Sequence, residues 1–335
     1  MLKLFKSIFG GGEQRGRYPE SLIESAIERT VDGTDPRMRA LFGYKKNLRP
    51  SVIHAIDHIV ALVNSIPAPL PATRSDYSAD PRLKALFASA DHMLEVFGDD
   101  VALKEFRGSA AGGADRVIAL LLAERAEKNV LGMEMAGDMM RRDVAQVAVI
   151  FSGHRLLEPT ANEAETRRQL MRRAGDHLLT LALTRITEVQ SERADLARQR
   201  DLLRRKLSVL KRGGWTFEAM EGALPDPKAL TAELQEIETE LTKLGAESGD
   251  LHARLGMVAD VLGHAEQQLW SEDIVLHLDR MNIQRDAQDE SAQPIALQEL
   301  HNARGARFTL LLLSLAPGEL PKREDFFTAA ERYLV

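Results

Sequence analysis

The chain of 335 residues is 28% charged and only 5% aromatic, carries a net charge of -6 and contains no cysteine. Its length allows two or three domains, or one domain with an elongated element. Without cysteine there are no disulfides, thiolate nucleophiles or Cys-ligated zinc or iron–sulfur sites, and the acidic balance argues against a protein built around nucleic acid.

Residues 1–9 put Leu2, Phe5 and Phe9 on one helical face, with Leu4 and Ile8 beside them and Lys3 and Lys6 opposite. That is the pattern of a short in-plane membrane anchor, with Leu2, Phe5, Ile8 and Phe9 as the membrane contacts. A tail that is disordered or docks on the protein's own body fits the same residues equally well. Residues 10–18, rich in glycine, read as a flexible linker. The apolar part is too short for a cleavable signal peptide, and no stretch reaches the roughly 20 apolar residues of a membrane span. The expected location is the cytoplasm, with peripheral contact at the inner membrane face.

Residues 19–160 read as a helical domain. Asp35-Pro36-Arg37 and Asp80-Pro81-Arg82 are near copies, each with Asp as helix N-cap and Pro at the first helical position, and each is expected to bury the Leu and Phe that follow. Pro50 to Ile66 is a further helix, with Ile53, Ile56, Val60 and Val63 inward. Pro67, Pro69 and Pro71 then force an extended loop. Residues 99–113 read as an irregular connection, and Ala114 to Phe151, apolar and rich in methionine, as the central helix or helix pair.

Residues 161–272 give the strongest pattern. Apolar residues alternate in steps of four and three from Leu230 to Leu269, with only Ser248 polar, and a matching rhythm runs from Leu179 to Leu210. This predicts an antiparallel coiled-coil hairpin with its tip at 213–227. Folding back sets Leu210 against Leu230, Val189 against Leu251, and Arg193 against Ser248. Residues 163–212 carry a net +6 and residues 226–273 a net -8, which favours this pairing over self-pairing of either helix. Two hairpins can also join as a four-helix bundle; the sequence leaves open whether they do. At the tip, Trp215, Phe217 and Met220 are either partner contacts or a self-packed cap.

Beyond Trp270, the runs Ile274–Leu278 and Phe308–Leu315 read as short strands or buried helix, and 322–334 as an amphipathic helix, making residues 273–335 a small C-terminal α/β piece. The expected fold class is therefore mainly α.

The chemistry in the sequence is sparse. His54 and His58 lie one helical turn apart, and Asp91-His92 follows on another helix, but such spacing is unspecific, and polar positions on amphipathic helices are the preferred reading. The glycines form no phosphate loop, no serine sits in a nucleophile elbow, and no cofactor is implied. The arginine clusters Arg167-Arg168, Arg172-Arg173 and Arg204-Arg205-Lys206 permit a phosphate-binding reading, which the acidic partner helix weakens. The reading that follows is a non-catalytic scaffold or adaptor binding a protein through its coiled-coil arm or tip. The alternatives are a metal-dependent enzyme with its site in the N-terminal helices, and a nucleic-acid-binding protein using the basic helix.

Overall fold

The structure, a computed structural model, describes residues 18–109, 112–136, 139–211, 227–248, 251–289 and 291–321. Its first half runs α1 (Glu20–Gly33), a 3-10 turn (Pro36–Ala40), α2 (Tyr44–Ser65), β1 (Leu70–Pro71), α3 (Arg74–Ala79), α4 (Pro81–Leu86), α5 (Ala90–Asp99) and α6 (Val101–Gly108). Two long strands follow, β2 (Val117–Ala136) and β3 (Met139–Thr160). Then come α7 (Glu163–Lys211), α8 (Pro227–Ser248), α9 (Leu251–Gly263), α10 (Ala265–Gln268), β4 (Leu269–Leu278), β5 (Gln293–Asn302) and β6 (Arg307–Leu315).

The fold is α/β, which corrects the mainly-α expectation. The residues read as a central helix form β2 and β3, the longest strands of a sheet ordered β3-β2-β6-β5-β4 with every neighbour antiparallel. Two-residue β1 adds a parallel pairing to β6, Leu70 against Leu313. The physical reason for the misreading is burial on both faces. Val117, Ala119, Leu121 and Ala123 enter one core, while Ile118, Leu120 and Leu122 enter another, so the strand shows a continuous apolar run with no alternation. The C-terminal runs are strands of this same sheet, and the connection at 99–113 contains α6, capped by Asp100, whose carboxylate accepts from the Leu103 N–H at 3.0 Å and the Leu156 N–H at 2.8 Å.

The chain divides into two units. One comprises Met1–Asp57 and Gly175–Ala265, the other His58–Ala174 and Glu266–Val335. In the second unit, helices α4–α6 pack Leu83, Phe87, Met93, Phe97 and Leu103 onto one face of the sheet. The other face receives Val63 and Ile66 from α2 and Leu170 from α7. Arg167 fastens that side, donating to the carbonyls of Val63 at 2.6 Å, Ile66 at 3.0 Å and Pro67 at 3.1 Å, where α2 runs out of its own N–H donors.

The two outer strands of the sheet are tied to each other. Ile283 bridges Ala148 of β3 while Gln284 bridges Leu278 of β4. Four backbone hydrogen bonds fix this segment: Val149 N–H to Asn282 O and Gln284 N–H to Val147 O at 2.8 Å, Arg285 N–H to His277 O at 2.9 Å, and Asp279 N–H to Ile283 O at 3.0 Å. The 279–285 segment thus links β3 to β4 at one place along each outer strand. A bulge bends β3 between the pairs Leu122–Arg155 and Glu124–Ser152, and Gly153 there takes φ of +62°, a conformation glycine adopts at little cost.

An ion pair lies on the sheet face that carries Thr309. Arg125 Nε donates to Glu299 Oε1 at 2.5 Å, with the Arg side chain 11% and the Glu side chain 3% exposed. Arg125 also pairs with Glu127. Next to Glu299, His301 stacks on Trp270 with ring centroids 5.5 Å apart and 12° between planes.

In the first unit, α1 buries Ile23, Ile27 and Val31, and Arg29 grips Asp176 of α7 through both nitrogens at 2.7–2.9 Å. Asp35 caps the 3-10 turn at Arg37 N–H and binds the guanidinium groups of Arg37 and Arg254, the latter at 2.5 Å. Asp80 repeats the cap and the Arg pair within α4. The copies diverge at the phenylalanine: Phe87 is buried, whereas Phe42 is fully exposed, contrary to expectation, and among the described residues the space beside the neighbouring Gly43 is open. α7 lies beside α8: Arg204 pairs with Glu238 at 2.5 Å, and Leu203, Leu207 and Ile237 are buried. Residues 190–204 of α7 share a cavity with 238–242 of α8 and, further along the chain, with Arg254 of α9, so the α8–α9 segment runs back along α7. The side chains of Glu247 and Ser248, expected opposite Arg193, lie outside the described residues, as does the C-terminal helix expected at 322–334.

Candidate functional site

The expected membrane contacts Leu2, Phe5, Ile8 and Phe9 and the expected tip contacts Trp215, Phe217 and Met220 lie outside the described residues. Among the described residues no helix is long and apolar enough to cross a membrane.

The four metal candidates are placed as follows. His54 and His58 are on α2, and His58 Nε2 bonds the Leu269 carbonyl at 2.6 Å. Asp91 binds Arg74 at 2.5 Å, and that guanidinium holds its carboxyl below the usual range. His92 Nδ1 accepts the Ala88 N–H at 3.2 Å, leaving Nε2 as its donor in the neutral form. Among the described residues no group of three or more His, Asp or Glu converges on a metal-sized site. The structure does bring His92 near a histidine that the sequence did not single out: His154, 6.3 Å away by ring centroid. His154 stacks on Phe87 at 4.7 Å and bonds the Leu86 carbonyl at 2.9 Å; burial lowers its pKa. It escaped notice because β3 read as helix, which hid its nearness to α4 and α5.

The basic clusters are largely engaged within the fold. Arg167 closes α2, Arg168 pairs with Glu165, Arg173 with Glu158 at 2.7 Å, and Arg204 with Glu238.

The outer part of the β2–β3 hairpin is an open surface among the described residues. β6 pairs with β2 only from Val117 to Ala123, while β2 and β3 remain paired out to Ala136 and Met139. Beyond the bulge they form a two-stranded ribbon. On the outer side of β2, no strand among the described residues pairs beyond Ala123; on that of β3, backbone pairing is confined to residues 147–149. The ribbon carries Leu131 at 72% exposure and Met133 at 60%. Leu131 sits across from Ala145, with Asn129 and Val147 paired two residues along on the same face. A second exposed apolar pair, Leu202 and Val209, lies two turns apart on α7.

No family model, curated protein or solved structure matches the chain.

Proposed function

We propose that the protein is a non-catalytic scaffold or adaptor that binds a protein partner, with the β2–β3 ribbon as the principal contact. The observation that supports this reading is the ribbon itself. A lone two-stranded ribbon is marginal in water, and its outer backbone groups form a template onto which a further strand can add. Leu131 and Met133 would then be covered by the partner, gaining roughly 1.5–3 kcal/mol each on full burial. The helical hairpin supplies a second surface at Leu202 and Val209, and its tip residues Trp215, Phe217 and Met220 belong to the same reading. Residues 1–9 add a reversible contact with an anionic membrane face.

The test is a comparison of affinity-purified complexes from the native host, using wild type, Leu131→Lys/Met133→Lys and Leu202→Lys/Val209→Lys. A partner present with wild type and lost with the ribbon variant, at unchanged stability, supports ribbon docking. Loss with the helix variant alone moves the contact to the hairpin, and identical recovery by all three removes both surfaces.

A further inference from the structure

A cavity of about 800 Å3 lies between α4–α5, β3 and the 279–282 turn, within the range of sites that hold small organic ligands. Its inner wall is continuous with the main core: Phe87, Val149, Leu278 and Ile295 line it and are almost wholly buried. Two large apolar side chains on its walls stay open to solvent, Met281 at 81% exposure and Ile150. The cavity therefore offers an apolar surface that nothing in this chain's described residues covers.

The polar lining is unbalanced in charge. Asp279 is the one acidic residue among the described lining residues, and it is committed elsewhere: Oδ2 accepts from Arg285 at 2.9 and 3.0 Å, and Oδ1 accepts the N–H groups of Met281 at 2.8 Å and Ile283 at 3.0 Å. That leaves Lys84 and Arg280, both exposed, as cations on the lining, with the Nε2 donor of His92 beside them. The turn that places Arg280 is firmly held. Asn282 adopts φ of +58°, which asparagine tolerates better than most residues, and its amide donates to the Ala85 carbonyl at 2.8 Å, tying the turn to α4.

We propose that this cavity binds an organic anion with an apolar body, of the class of a medium-chain carboxylate. The chain packs on Met281 and Ile150, the two lining side chains open to solvent, and the carboxylate is held by Lys84, Arg280 and the His92 donor. Burial against the two open apolar side chains adds to the affinity, and the two cations supply the preference for an anion.

Calorimetric titration of the full chain with octanoate, 1-octanol and sulfate tests this. Expected is one octanoate per chain, with 1-octanol at least about tenfold weaker, a difference of about 1.4 kcal/mol, and no sulfate binding in the same range. Lys84→Glu/Arg280→Glu should weaken octanoate by at least about tenfold while leaving 1-octanol unchanged. Ala148→Trp, which fills the cavity from β3, should abolish both. The proposal is overturned by absent octanoate binding, by equal affinity for acid and alcohol, or by octanoate binding that survives both variants. Arms with octanoyl lipid in vesicles and with free octanoate separate a membrane source from a soluble one.

Discussion

Arg125 and Glu299 offer the sharpest energetic test of the packing across the sheet. Both side chains are nearly inaccessible, and their closest atoms are 2.5 Å apart. Unit charges about 4 Å apart at an effective dielectric of 20 attract by roughly 4 kcal/mol, and much of that attraction offsets the cost of taking each ion out of water. Removing one partner should therefore be far worse than removing both. Arg125→Met leaves a buried carboxylate without its cation and is expected to cost about 3–5 kcal/mol. The double change Arg125→Met/Glu299→Leu is expected to fall within about 1 kcal/mol of wild type. The assay is urea unfolding in a Trp215→Phe background, where Trp270, stacked on His301 beside Glu299, becomes the only tryptophan. With a slope of roughly 2 kcal/mol per molar, the single variant should lower the midpoint by about 2 M. A shift below about 1 kcal/mol for Arg125→Met, or additive effects of the two changes, would refute the buried pairing.

Asp35 should give the first unit a distinctive acid sensitivity. Its hydrogen bond from Arg37 lowers its pKa from 3.8 to about 2, and Arg254 adds to this. The folded pKa is depressed, so the contribution is fully present above about 4 and is lost as pH falls toward 2. Asp35→Asn should flatten that part of the stability profile, whereas an unchanged acid limb would contradict the assignment. Vesicle flotation with acidic lipids should lift the full chain and leave a chain lacking residues 1–9 in the soluble fraction; equal behaviour of the two would remove the membrane contact.

What the sequence made legible was local. The Asp-Pro-Arg caps were readable because an N-cap bond spans two or three residues and needs nothing distant. The sheet was not readable, since its signals are non-local. β2 is Leu-, Ala- and Glu-rich, residues of high helical propensity, and pairing with β6 and β3 overrides that propensity. β5 carries no clear strand signal because Gln298 and Glu299 break its apolar run, and Glu299 is matched there by Arg125, 174 residues away in sequence. Phe42 and Phe87 follow the same local motif, yet one is exposed and one buried, so the motif fixed the cap and the tertiary surroundings decided the burial. Of the candidate site, Leu131 and Met133 were visible only as apolar residues of a supposed core helix. Their exposure became meaningful once β6 was seen to end its pairing with β2 at Ala123.

The central claim is that the ribbon is covered by another protein in its working state. Site-specific photo-crosslinking in the native host tests it directly, with the reactive side chain placed at position 131 and, as a control on an exposed strand position elsewhere, at position 275. The account predicts one discrete protein adduct from position 131, weakened by Met133→Lys and absent from position 275. No adduct at 131, or the same adduct from both positions, would contradict it.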